Sequence, residues 1–163
     1  MRSLSSGLVG AVALTAIHET ARRALPGEAP RMDVIGMRAI ARSLRALDQE
    51  PPVPLHELTL AGDLAANTLY YSLVGVGARR NALLRGALLG AAAGVGAVLL
   101  PEPLGLGDQP SQSGSTKAMT VAWYVAGGLA AAAAFNLMGD APGARHSFRK
   151  PPERGRRREG VAR

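Results

Sequence analysis

The stretch AMTVAWYVAGGLAAAAAFNLMG, residues 118–139, contains no charged side chain. A helix needs about 20 apolar residues to cross a bilayer core of about 30 Å, so this stretch is long enough to cross alone. A second stretch, NALLRGALLGAAAGVGAVLL (residues 81–100), carries one charge, Arg85, near its start. A side chain at that position can reach the lipid headgroups, and Pro101 and Pro103 end the helix. We therefore predict two membrane helices here.

The composition also fits a membrane protein. The chain has 163 residues, of which 47% are hydrophobic but only 4% aromatic. A soluble core of this size would use more large side chains, whereas small residues let membrane helices approach closely. The length predicts one domain, residues 1–140, followed by a tail. Cysteine is absent, which excludes disulfides, thiol catalysis and thiolate metal sites.

Two further segments are less apolar. Residues 3–24 cross only if the helix continues through His18 toward Arg22, and residues 55–78 include Glu57 and Asp63. We interpret both as membrane helices with a polar face. A cleavable signal peptide is the alternative for the first, but only Arg2 precedes its apolar run, and the residues after it are helix-forming. The predicted fold is all-α, a polytopic bundle of about four membrane helices.

Residues 31–48 show the pattern of a basic amphipathic helix. Apolar side chains fall on one face of a helical wheel and arginines on the other. The apolar residues are Met37, Ile40, Leu44 and Leu47, and the basic ones are Arg31, Arg38, Arg42 and Arg45. One interpretation is an interfacial helix whose arginines contact anionic lipid headgroups. The other is a helix packed across the top of the bundle.

Charge asymmetry predicts the topology. Residues 101–116 contain no Lys or Arg, whereas the tail, residues 141–163, is rich in arginine and almost without apolar residues. The positive-inside rule places the tail in the cytoplasm and residues 101–116 outside. We expect the tail to be disordered and to contact anionic lipid rather than nucleic acid. The location is then the cytoplasmic (inner) membrane, with several spans and a cytoplasmic C-terminus.

The charge of the first loop conflicts with the positive-inside rule. With four spans, residues 22–54 lie outside although they contain more arginines than acids. Pairing of these arginines with acids such as Asp33 would reduce the conflict. A three-span alternative, in which residues 55–78 do not cross, places every basic segment inside. We prefer four spans because YYSLVGVGA leads directly into Arg79 and Arg80.

Polar residues recur at helical spacing in the two less apolar segments. On each segment four of them share one face: Thr15, His18, Glu19 and Arg22 on the first, and Thr59, Asp63, Asn67 and Tyr70 on the second. Polar groups in hydrocarbon require partners, so the two stripes should face each other, with His18 or an arginine beside Asp63. This cluster is interpreted either as a structural clasp or as an ion relay or solute pocket.

No catalytic or metal motif is complete. His18-Glu19 matches the start of H-E-x-x-H, but Arg22 occupies the second histidine position and a cation would repel zinc. The sequence also lacks a nucleophile elbow, a phosphate loop and a dinucleotide fingerprint. We predict no enzyme activity, no cofactor and no metal.

Glycines repeat every four residues in the segment 81–100. Small residues at this spacing form a smooth stripe that packs closely on another helix. The stripe contains Gly86, Gly90 and Gly94, and the last helix carries Gly127 and Gly128. We expect this stripe to pack against another helix of the same chain. The alternative is packing in a homo-oligomer or against another membrane protein.

The pattern GLVGAVALTAIHETARR followed by PRMD, a polar-faced span and a glycine-rich span resembles uncharacterised small bacterial inner-membrane proteins of about four helices. The resemblance covers residues 7–138 in outline. It implies the architecture and the membrane, and it implies no activity or site residues. The predicted function is a small non-enzymatic structural or accessory membrane component. The alternatives are a proton- or ion-coupled carrier using His18, Glu19, Asp63 and Asn67, and an anchor whose basic tail recruits an acidic partner.

Overall fold

The computed structural model describes residues 1–107 and 113–139, and within them every regular element is helical, as predicted. The helices are α1 (Arg2–Ala24), α2 (Met32–Ala46), α3 (Leu55–Ser72), α4 (Ala82–Leu99) and α5 (Gly114–Gly139). Two short 3-10 turns, Leu73–Gly75 and Arg79–Asn81, connect α3 to α4. The tail predicted to be disordered, residues 141–163, lies outside the described residues.

The four long helices lie side by side and alternate in direction. At one end, Ser3 at the start of α1 lies against Gly75 after α3, and Arg79 donates a hydrogen bond to the carbonyl of Asn136 near the end of α5. We call this the turn end. At the other end, the Thr116 hydroxyl donates to the Glu28 carbonyl at 3.1 Å. This loop end also carries α2 and residues 100–107.

The helix α2 packs on α3 across the loop end, and arginines tie it to the loop that follows α4. Arg38 donates to the Leu106 carbonyl and Arg42 to the Gly105 carbonyl, each at 3.0 Å. Of the two interpretations of the amphipathic segment, this arrangement matches a helix packed across the top of the bundle. It leaves the contact with lipid headgroups as a prediction.

Glycines form the closest contacts between helices. Within α4, Gly86, Gly90 and Gly94 are buried against α5, and an added Cβ at Gly90 would lie 2.5 Å from the Val125 Cα. The neighbouring glycines of α5 serve two different interfaces. Gly128 lies against the Gly86 carbonyl, whereas Gly127 faces α1, where an added Cβ would lie 3.1 Å from the Leu14 Cβ.

Three details differ from the predicted boundaries. The helix predicted to reach residue 78 ends at Ser72. A 3-10 turn follows, then Val76 is extended with a ψ of 120° and Gly77 takes a left-handed φ of +90°, neither of which a helix can contain. The last helix begins at Gly114 rather than residue 118, since the Ser113 hydroxyl accepts a hydrogen bond from the Thr116 N–H at 3.1 Å and caps it. Arg85 does not reach outward as predicted: its guanidinium bonds the carbonyls of Val74 and Ala78.

Two helices are long and apolar enough to cross a membrane, Arg79–Leu99 and Gly114–Gly139. Within the described residues α1 and α3 do not meet that criterion, because their polar residues lower the hydropathy. By length and composition, two of the four predicted spans could therefore cross a membrane, and the other two stay a prediction. Whether α1 and α3 also cross depends on where their polar side chains point.

Candidate functional site

A cavity of about 350 Å³ lies near the loop end, between α1, α2 and α3. Its walls combine the polar stripes of α1 and α3 with the apolar side of α2. Gly62, Asp63 and Ala66 line it and are exposed, so the cavity opens along α3. Ligand pockets in proteins typically start at about 300 Å³, so this one fits a small ligand. We call it the polar cavity.

The α1 side of the polar cavity carries the whole predicted stripe, Thr15, His18, Glu19 and Arg22. Two of these side chains neutralise each other, because Arg22 donates to the Glu19 carboxylate at 2.8 Å. Arg23 lies 3.6 Å from the same carboxylate. The charged part of the stripe is therefore a surface ion-pair group, which contributes little to stability.

His18 is different, because its ring turns into the protein. The ring lies edge-on to Trp123 and Tyr124, with centroid distances of 5.2 and 5.9 Å. It bonds the Leu14 carbonyl, while Nε2 is buried and has no hydrogen-bond partner in the structure. The bond to Leu14 therefore uses Nδ1–H, and in the neutral ring Nε2 keeps a lone pair that can accept a hydrogen bond.

The α3 side contributes Thr59 and Asp63 from the predicted stripe. The Thr59 hydroxyl donates to the Leu55 carbonyl at 2.7 Å, and the Asn67 amide donates to Asp63 Oδ1 at 2.9 Å. Asn67 thus supports the site from the next turn without lining it. Tyr70 is not part of the site, because its hydroxyl bonds the Leu89 carbonyl of α4 at 3.0 Å.

The predicted contact of Asp63 with His18 or an arginine is wrong. Among the described residues the Asp63 carboxylate is bonded by the neutral amide of Asn67, and no basic side chain lies within ion-pair distance. Two causes are visible. The arginines of α1 are already paired with Glu19, and the His18 ring packs against aromatic residues of α5. The two polar stripes therefore line one cavity and do not clasp each other.

The α2 side closes the polar cavity with Met32, Gly36 and Ile40. Gly36 allows the close approach of α2 to α3, since an added Cβ would lie 2.6 Å from the Thr59 methyl carbon. Met32 and Ile40 give this wall an apolar character. The α2 side is therefore mostly apolar, apart from Asp33, which is paired with Arg31. The α1 and α3 sides are polar, as an amphiphilic ligand requires.

All four arginines predicted to contact headgroups form hydrogen bonds within the chain. Arg31 donates twice to Asp33, each time at 3.0 Å. Burial acts to raise the pKa of Asp33, but the hydrogen bonds and the charge of Arg31 outweigh it and hold that pKa below its usual value. Asp33 lines the cavity as a neutralised carboxylate. Arg45 bonds the Ala41 carbonyl of its own helix at 3.3 Å.

Several lining residues took no part in the predicted cluster, among them Met32, Asp33 and His56. His56 could have been found, because it precedes Thr59 by three residues and extends the α3 stripe by one step. Met32 and Asp33 could not, since their position depends on how α2 packs across the loop end. The predicted packing glycines of α4 and α5 are not part of the cavity lining.

Within residues 1–107 and 113–139, no three His, Asp or Glu side chains come close enough to hold a metal ion. No protein-family model, no curated protein and no solved structure matches the chain.

Proposed function

We propose that all four long helices cross the cytoplasmic membrane, with both termini in the cytoplasm and the loop end outside. The helices alternate in direction, and α1, at 1.5 Å per residue, is about 34 Å long. The outward face of α1 is apolar, because Leu4, Leu8 and Val12 are about half exposed. Its polar residues instead turn toward the polar cavity, so the low hydropathy of α1 does not argue against a lipid-facing surface.

Within this bundle, we propose that the protein is a non-enzymatic accessory component of the membrane that binds a small amphiphile in the polar cavity. The observation that carries this proposal is the cavity itself. It combines an apolar wall with polar groups and opens along α3. Packed helices rarely leave a void of this size, since interiors are close-packed. We therefore interpret it as a place for a ligand rather than as a defect of packing.

A carrier that uses the same polar residues is the second candidate, but the bundle gives it less support. Toward the turn end the centre is filled by Leu14, Tyr71 and Val74, all fully buried. The Tyr71 hydroxyl is bonded to the Tyr124 carbonyl at 2.8 Å, so it is not free to relay a proton. Glu19 is already paired with Arg22. Proton flux in proteoliposomes that depends on Asp63 would make the carrier the better proposal.

The cavity proposal predicts that Gly62→Leu abolishes ligand binding without harming the fold. A Cβ at Gly62 would lie 3.7 Å from the Ile40 Cδ1, which is ordinary contact, so a larger side chain can extend into the cavity. The change also removes a glycine from a helix, which favours the helix slightly. The protein, in phosphatidylcholine nanodiscs, is titrated with eight-carbon amphiphiles that differ in head group.

Binding is read from the fluorescence of Trp123, which is the only tryptophan and lies against the His18 ring. We expect a saturable change for at least one amphiphile in the native protein and none in Gly62→Leu. A matched control is Ala65→Leu, which changes an exposed α3 residue outside the cavity lining and should bind as the native protein does. Responses that are equal in the native protein and in Gly62→Leu for every amphiphile would rule out the cavity as a binding site.

A further inference from the structure

Several hydrogen-bond donors around the polar cavity are used within the protein. The Thr59 hydroxyl hydrogen goes to the Leu55 carbonyl, and the Asn67 amide donates to Asp63. The ring hydrogen of His18 goes to the Leu14 carbonyl, and Arg22 donates to Glu19. Thr15 and His56 also line the cavity, and each can donate as well as accept, whereas the Asp63 carboxylate can only accept.

The Asp63 carboxylate is the acceptor that a ligand can reach, because Asp63 lines the cavity and is exposed. His18 Nε2 and Thr59 are buried and are therefore closed to a ligand. Asp63 is also the one lining carboxylate whose bonded partner is neutral, since Glu19 and Asp33 are paired with arginines. The wall therefore has one carboxylate without a cationic partner.

A primary ammonium group matches this wall. It carries one positive charge and three N–H donors on a single atom, as the lysine side chain does. The apolar side of the cavity, with Met32 and Ile40, suits the hydrocarbon chain of such a ligand. An anionic head group would be repelled by Asp63, and the lining Arg22 is already paired with Glu19; a neutral alcohol has only one donor.

We propose that the polar cavity binds an amphiphile through its primary ammonium group, with the Asp63 carboxylate as the counter-ion and hydrogen-bond acceptor. This inference rests on the proposed binding function of the cavity. The same chemistry has two sources, an aminophospholipid of the bilayer and a free alkylamine.

The test compares octylamine, octyltrimethylammonium and 1-octanol, each titrated into the protein in phosphatidylcholine nanodiscs with Trp123 fluorescence as the readout. Octyltrimethylammonium keeps the charge of octylamine but has no N–H donor, whereas octanol keeps a donor but has no charge. Each probe is also titrated into Gly62→Leu to subtract partitioning into the bilayer. We expect octylamine to bind about tenfold more tightly than either, because charge-assisted hydrogen bonds to Asp63 form only with octylamine.

The variant Asp63→Asn should lose the preference for octylamine while binding octanol as before, which also shows that it is folded. Equal affinity of the native protein for octylamine and octanol, or full octylamine affinity in Asp63→Asn, would overturn the inference but leave the cavity as a binding site. If Asp63→Asn does not fold, the inference is tested by comparing the affinities of octylamine and octyltrimethylammonium for the native protein. If no probe gives a response that depends on Gly62, the proposed function itself fails.

The second arm identifies the source of the amine. Nanodiscs that contain phosphatidylethanolamine replace those of phosphatidylcholine, and octylamine is titrated again. An aminophospholipid ligand would compete and raise the apparent Kd of octylamine. An unchanged Kd would assign the site to free alkylamines.

Discussion

Gly90→Leu should destabilise the protein by about 3 kcal/mol or more, the largest effect we expect from one substitution, because overpacking commonly costs 1–3 kcal/mol even where side chains can yield. Here the obstacle is backbone: an added Cβ would lie 2.5 Å from the Val125 Cα and close to the Tyr124 carbonyl. Relief requires α4 to move away from α5, with loss of the contacts at Gly86 and Gly94 on the same stripe. Unfolding of the purified protein by SDS titration measures the loss.

Two control variants separate close packing from a general effect of helix substitution. Leu99→Val changes an exposed apolar residue of the same helix, and we expect an effect within about 0.5 kcal/mol, as for other surface substitutions. Gly62→Ala changes a glycine of α3 whose added Cβ has room, and it should be neutral or slightly stabilising. If Gly90→Leu were tolerated as well as Leu99→Val, the glycine stripe could not be the contact between α4 and α5.

Arg85→Leu should lower stability by about 2–3 kcal/mol, since hydrogen bonds to charged groups contribute about 1.5–3 kcal/mol and several are lost together. The guanidinium bonds the Val74 carbonyl through Nε and Nη2, at 3.1 and 2.9 Å, and the Ala78 carbonyl through Nη1, at 2.9 Å. These carbonyls belong to the segment between α3 and α4, where the Ala78 carbonyl also accepts a hydrogen bond from the Asn81 N–H at 3.1 Å. The arginine therefore acts as the cap of this turn. The same SDS titration applies.

Arg80 provides the matched control, because it is exposed in the same turn and its side chain forms no hydrogen bond with any described residue. We expect Arg80→Leu to change stability by less than about 0.5 kcal/mol. Arg85→Lys should recover only part of the loss, since an ammonium cannot hold two carbonyls in the fixed fork of a guanidinium. Equal stabilities of the Arg80 and Arg85 variants would show that Arg85 faces the headgroups, as its position in the sequence suggested.

The helices themselves could be predicted because helix formation follows local patterns. Apolar runs, the wheel of α2 and the prolines after α4 are properties of neighbouring residues. The prediction for α3 was wrong at its end because Tyr70, Tyr71 and Val74 are typical of a continuing apolar helix. Only the backbone shows that Gly77 turns left-handed. Arg85 was misassigned for a related reason, since its partners become available only where α3 ends early.

The sequence indicated on which helix face each polar residue lies but not which residue it bonds. Spacing along each helix indicated that Thr59, Asp63 and Asn67 share a face. It could not indicate that Asn67 would bond Asp63 within the helix, or that His18 would turn toward Trp123 of another helix. Such choices depend on the packing of α1, α3 and α5 together. Met32 lines the same cavity because α2 packs on α3, and the sequence does not indicate how α2 packs.

The central claim is that α3 crosses the membrane, because only then does the polar cavity lie within the bundle at its outer end. The chain has no cysteine, so single cysteines introduced as Gln49→Cys, before α3, and Asn81→Cys, after it, give clean labels. Both positions are exposed. In cells treated with a membrane-impermeant maleimide, we predict labelling of Gln49→Cys in intact cells and of Asn81→Cys only after permeabilisation. Labelling of both positions from the same side would contradict the four-span bundle.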